Sequence, residues 1–80
     1  MEVVLVTPQK ELFKGKAKCI SLRGLKGEMQ ILPNHAPILA VLAAGRVIIE
    51  AVSGLEQFEI SSGFVEVHKD LVTILAREKS

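Results

Sequence analysis

Apolar and polar positions alternate along most of the chain, in short runs cut every several residues by glycine, proline, asparagine or aspartate. Such spacing predicts antiparallel strands, because successive side chains of a strand point to opposite faces. Val3–Val6 predicts a first strand stopped by Thr7-Pro8, and Glu11–Phe13 a short second one before Gly15. In Ala17–Arg23, Lys18, Ile20 and Leu22 share one face and Ala17, Cys19, Ser21 and Arg23 the other; Ile20 and Leu22 mark the buried phase. Gly24-Leu25-Lys26-Gly27 is a tight connection with glycine at both ends. After it, Glu28–Leu32 puts Met29 and Ile31 inward and Glu28 and Gln30 outward.

Pro33-Asn34-His35-Ala36-Pro37 cannot continue a central strand, since two prolines remove two ladder donors, and it predicts an ordered loop. Ile38–Ala44 has the composition of a turn or two of helix, but seven residues before Gly45 fit a buried strand better. Arg46–Val52 is a strand, Ser53-Gly54 a turn, and Glu56–Ile60 a strand with Phe58 and Ile60 inward. Ser61-Ser62-Gly63 bends the chain into Phe64–His68, where Val65 and Val67 face opposite Phe64, Glu66 and His68. Lys69-Asp70 turns it into a last strand, Leu71–Ala76, and Arg77–Ser80 is a polar terminus. Eight to ten strands result, enough for an all-β fold in which two antiparallel layers close over one core.

Length sharpens this picture. Eighty residues make a single domain, 1–80, and a chain so short buries only about 60% of the surface its unfolded form exposes. With 49% hydrophobic and 24% charged residues it lies far from the composition that keeps chains disordered. Valine, isoleucine and leucine dominate the apolar set, and Phe13, Phe58 and Phe64 are its aromatics, so the core is aliphatic and suits pleated surfaces. The apolar start is much too short to span a membrane and lacks a signal-peptide pattern, so any membrane association goes through a partner.

Chemistry is sparse. The single Cys19 cannot close an intrachain disulfide, fits a reducing compartment, and sits in an apolar alternation where it serves as a small hydrophobe. One thiol beside His35 and His68 makes no four-ligand zinc site, and neither histidine has a carboxylate at an offset that marks a triad. Gly24–Gly27 precedes a strand, whereas phosphate cradling needs a following helix. No catalytic residue, cofactor site or metal site is therefore assigned. Charge is uneven: Lys10, Lys14, Lys16, Lys18, Arg23 and Lys26 stand against Glu11 alone, and the balance reverses from Glu28 to Asp70. A small basic β-barrel that binds nucleic acid is the alternative function, weakened because the basic stretch holds only Phe13 for stacking.

Gly27-Glu28-Met29-Gln30-Ile31-Leu32-Pro33-Asn34-His35-Ala36-Pro37-Ile38-Leu39 resembles the epsilon subunit of F-type ATP synthases, whose pattern there runs approximately GELGILPGHAPLL. Val4–Pro8 is similar to that family's opening strand, Phe13-Lys14-Gly15 to its F-x-G turn, Ser62–Val67 to its GGFLEV segment and Val72–Ala76 to its last strand. The likeness covers essentially the whole chain. Gln30 and Asn34 replace glycines of the pattern; asparagine tolerates positive φ, so Asn34 can keep a left-handed turn, whereas Gln30 has no such licence.

The resemblance implies a sandwich of two five-stranded sheets, about ten strands, at the foot of the central stalk. It implies three partners: the gamma shaft, the membrane ring of c subunits and the catalytic alpha/beta head. Nucleic acid is not among them. The work implied is a non-catalytic one, holding gamma to the ring while ion-driven rotation forces ATP synthesis elsewhere. Its place would be the cytoplasmic face of a bacterial inner membrane, with a plastid thylakoid as the other setting. Lys26, Gly27 and Glu28 fall on the family's c-ring contact and His35 on its contact with gamma. Many members continue into a helical hairpin that restrains ATP hydrolysis; if Ser80 is the natural end, no such latch is expected.

Overall fold

The alternation becomes seven strands in residues 1–79, the part of the chain that the computed structural model describes. They are β1 (Glu2–Val6), β2 (Glu11–Gly24), β3 (Gly27–Ile31), β4 (Ile38–Leu42), β5 (Gly45–Ala51), β6 (Gly54–His68) and β7 (Leu71–Glu78). No helix occurs among these described residues.

Two strands do double duty. The sequence divides Glu11–Phe13 from Ala17–Arg23 and Glu56–Ile60 from Phe64–His68, yet β2 and β6 each run unbroken through both pieces. In each, one extra residue shifts the register. Ala17 pairs with Ala51 and Cys19 with Glu50, so Lys18 has no counterpart in β5. Ile60 pairs with Glu78 and Ser62 with Arg77, so Ser61 has none in β7. A bulge of this kind bends the strand and exchanges its faces. Buried positions on β6 accordingly change from Phe58 and Ile60, the first of them half-buried, to Val65 and Val67. On β2 the inward face is that of Ala17 before the bulge and of Ile20 and Leu22 after it. Cys19 keeps the face opposite Ile20 that strict alternation gives it, beside Glu50 while Ile20 lies beside Ile49, and it is buried there all the same.

The two bent strands join two layers. One has the order β2 (first arm), β1, β7, β6 (second arm), β4. The other has β3, β2 (second arm), β5, β6 (first arm). Five strands or arms thus face four, and the expected sandwich is built from fewer, longer strands than about ten. Its ladders are antiparallel except for β1 against β7, which run parallel with Val3 beside Val72 and Leu5 beside Ile74. Those strands are nearly a whole chain apart, a connection that local alternation does not reveal.

Leu5, Ile20, Leu22, Ile31, Ile49 and Ile74 fill the space between the layers with no more than 1% exposure. Each such aliphatic contributes about 1.5–3 kcal/mol relative to leaving it in water, which a small domain needs from nearly every inward position. Two segments depart from expectation. Ile38–Leu42 is a strand, but Leu39 and Val41 point outward and are exposed, so it is covered on one side only. Arg77 and Glu78, assigned to a polar terminus, extend β7; Ser80 lies outside the described residues.

Candidate functional site

The β2–β3 connection is a short hairpin closed by the pairing of Gly24 with Gly27. Gly27 has φ 129°, a conformation side chains rarely adopt, so glycine is required there by the backbone and not by lack of space. The tip leans on β4: the Leu25 amide donates to the Val41 carbonyl at 3.1 Å and the Ala43 amide to the Arg23 carbonyl at 2.8 Å. Lys26, Gly27 and Glu28 project from this braced tip, all exposed, with Arg23 the cross-strand neighbour of Glu28.

At the other end of β3, the proline-bounded loop turns back through Asn34 at φ 64°, a left-handed conformation that asparagine accepts. The His35 amide donates to the Leu32 carbonyl at 3.2 Å and closes the turn, while the His35 Nδ1 lies 2.6 Å from the Ala36 carbonyl oxygen. His35 is half-buried. The structure therefore does not bring Glu28 and His35 together; β3 holds them roughly 10 Å or more apart along the strand.

β4 links the two ends, and its outward side opens an apolar row. Val41 is paired with Phe64, Phe64 with Leu75 and Leu75 with Val6, four neighbours across four strands of the five-stranded layer. Val41, Phe64 and Leu75 are 46–52% exposed, and Leu25 at the hairpin tip extends the row at 68%. The row itself walls a cleft of about 440 Å³, with Gly63 and Ala76 on its floor and Pro8 and Arg77 at its edge. Gly63 matters to that floor, because a Cβ there would stand 2.5 Å from the Leu75 carbonyl oxygen.

The arrangement suits contact between surfaces better than bond-making. Cys19 is buried as a free thiol, and no group of three histidine, cysteine, aspartate or glutamate side chains among the described residues is placed to hold a metal ion. Phe13, the aromatic of the basic stretch, packs against the core, so no exposed ring accompanies those lysines and a base-stacking platform is missing there.

Residues 1–79 match the family described as "ATP synthase, Delta/Epsilon chain, beta-sandwich domain". The chain belongs to that family. Among its relatives, the ATP synthase epsilon chain of Halalkalibacterium halodurans is 40% identical over 95% of this chain and 57% of its own length. The sodium ion specific ATP synthase epsilon chain of Propionigenium modestum is 36% identical over 92% of this chain and 54% of its own. Solved structures agree: a chain of the Tetrahymena thermophila mitochondrial ATP synthase central stalk and c ring superposes with a TM-score of 0.84 at 28% identity, covering 98% of this chain and 63% of that one. A chain of the Euglena gracilis mitochondrial assembly containing F1 and the c ring gives 0.86 at 29% identity, covering 95% and 49%. This chain thus spans a little over half the length of the epsilon chains it matches.

Within the delta/epsilon sandwich, the sequence had marked Lys26, Gly27, Glu28 and His35 but not the row through Phe64. One signal was present: Phe64 shares its face with Glu66 and His68, so a large aromatic sits in the polar phase of its strand. An apolar residue in that phase points to a covered outer face.

Proposed function

We propose that this delta/epsilon sandwich is the coupling foot of a rotary ATP synthase, a non-catalytic rotor part that fastens the gamma shaft to the membrane c ring. Rotation of the ring, driven by ion flow, passes through this joint to the shaft, and the alpha/beta head makes ATP. The chain would sit on the cytoplasmic face of a bacterial membrane, reaching the bilayer only through the complex.

The observation that carries the proposal is the exposed apolar row Val41–Phe64–Leu75–Val6, which continues into the Leu25 hairpin tip. An apolar patch rimmed by polar residues on a small soluble domain marks a place where another surface lies. Gamma is the occupant assigned, with the His35 loop leading into one end of β4 and the hairpin tip resting on the other. The charged tip, Lys26 and Glu28, then meets the polar loops of the c ring. Rim charges of this type tune association rate and salt dependence more than total affinity.

Mixing this chain with gamma and following gel filtration tests the proposal. A stoichiometric complex is expected, together with its loss in a Phe64→Ser, Leu75→Ser double variant that keeps the wild-type circular dichroism. No complex at low or high salt, or a complex indifferent to that variant, would overturn gamma as the occupant. Release of wild-type chain from gamma by the remaining length of an epsilon chain would instead assign the row to that segment.

A further inference from the structure

We infer that Asp70 is a positioning residue for docking: its carboxylate holds the His35 loop in the shape that meets gamma. This rests on the assignment of that loop to gamma above.

Asp70 ties three stretches of chain together. Its Oδ1 accepts the Asn34 amide at 3.0 Å, across 36 residues of sequence. Its Oδ2 lies 3.6 Å from the ammonium of the half-buried Met1, and its backbone carbonyl accepts the Glu2 amide at 3.0 Å. The Asn34 amide is a donor that the loop itself leaves over. The Leu32–His35 turn is closed by the His35 amide and makes no use of the Asn34 amide, and the flanking Pro33 and Pro37 offer no amide hydrogens of their own. A charge-assisted bond from a carboxylate therefore gives the loop its long-range anchor.

The turn that supplies the carboxylate is a poor fit to its own residues. Lys69 and Asp70, at φ 49° and 61°, form the two-residue connection between β6 and β7, which His68 and Leu71 close. Two consecutive positive φ angles make the turn type in which asparagine-glycine is most favoured. Glycine at position 70 would relieve the backbone; aspartate keeps the strain and adds the anchor. Backbone strain retained where an alternative is free of it points to a role for the side chain.

Asp70→Gly separates the two roles, because it suits the turn while releasing Asn34. Expected is a folded chain whose affinity for gamma falls by about three- to tenfold, the range of one net hydrogen bond. Asp70→Asn keeps an acceptor oxygen and is expected to restore most of the affinity. In a His35→Ala background, Asp70→Gly is expected to cost less than about twofold further, since the residue acts through the loop. Wild-type affinity in Asp70→Gly, or an undiminished loss in the His35→Ala background, would overturn the inference. Wild-type chain failing to bind gamma sinks the docking assignment instead. Independently of any variant, the Asn34 amide in the wild-type chain is expected to exchange with deuterium far more slowly than an open loop amide; exchange at the open-loop rate would also overturn it.

Discussion

Phe64 of β6 stands directly opposite Leu75 of β7, and each side chain is 52% exposed although the two form the middle of a four-strand apolar row. A ring and an isobutyl group paired across strands are normally covered. Here nothing in residues 1–79 covers them, so their remaining surface is free for a partner.

Truncating them separates docking from folding. Phe64→Ser with Leu75→Ser is expected to weaken the gamma complex by about 2 kcal/mol or more, roughly thirtyfold, as for aromatic anchors at the centre of an interface. Calorimetric titration measures it, and urea unfolding is expected to change by under about 1 kcal/mol because both side chains already face solvent.

Gly63→Ala tests the floor of the cleft. The added methyl would meet the Leu75 carbonyl oxygen at 2.5 Å and the Ala76 side chain at 3.3 Å, so β6 and β7 must separate. A loss of about 1–3 kcal/mol is expected, typical of overpacking, read as a lower urea midpoint. Gly54→Ala serves as a comparison in which the backbone alone objects: its φ is 142° with nothing within 4 Å of the new methyl.

Glu28→Gln removes a charge from the exposed hairpin tip. Association with the c ring is expected to slow severalfold at low salt and to lose most of its salt dependence, while the dissociation rate changes little. Stopped-flow mixing with detergent-solubilised ring reads both, and unfolding stability is expected to stay within about 0.5 kcal/mol.

Deleting Lys18 removes the residue that β5 leaves unmatched. Ala17 and Ile20 then stand two positions apart, so both arms of β2 keep their inward faces and only the bend that the bulge supplies is lost. A loss of about 1–3 kcal/mol is expected, read as a lower urea midpoint with the cooperative transition kept, whereas Lys18→Thr leaves the count intact and is expected to be near neutral.

Sequence alone carried the inward positions of β3 and the split faces of the second arm of β6, because Met29 and Ile31, and Val65 and Val67, alternate cleanly with exposed neighbours. It also carried the family, through the motif from Gly27 to Leu39, in spite of Gln30 and Asn34 standing where the pattern has glycine. It failed where two residues of one strand belong to different layers. Gly15 and Gly63 looked like breaks but lie inside long strands, and no residue type announces that Lys18 or Ser61 is a bulge. Alternation also treats an apolar run as buried on both sides, which is why the exposure of Leu39 and Val41 came only with coordinates. Asp70 was invisible for a different reason: its meaning depends on an amide 36 residues away.

The parallel pairing of β1 with β7 has a consequence for the birth of the domain. As the chain is synthesised, Val3 and Leu5 are made well before Val72 and Ile74, the neighbours that complete their ladder. Closing so long a loop carries an entropy cost that slows assembly. The strand that holds Val3 must therefore wait, with one side unmatched, until β7 has left the ribosome.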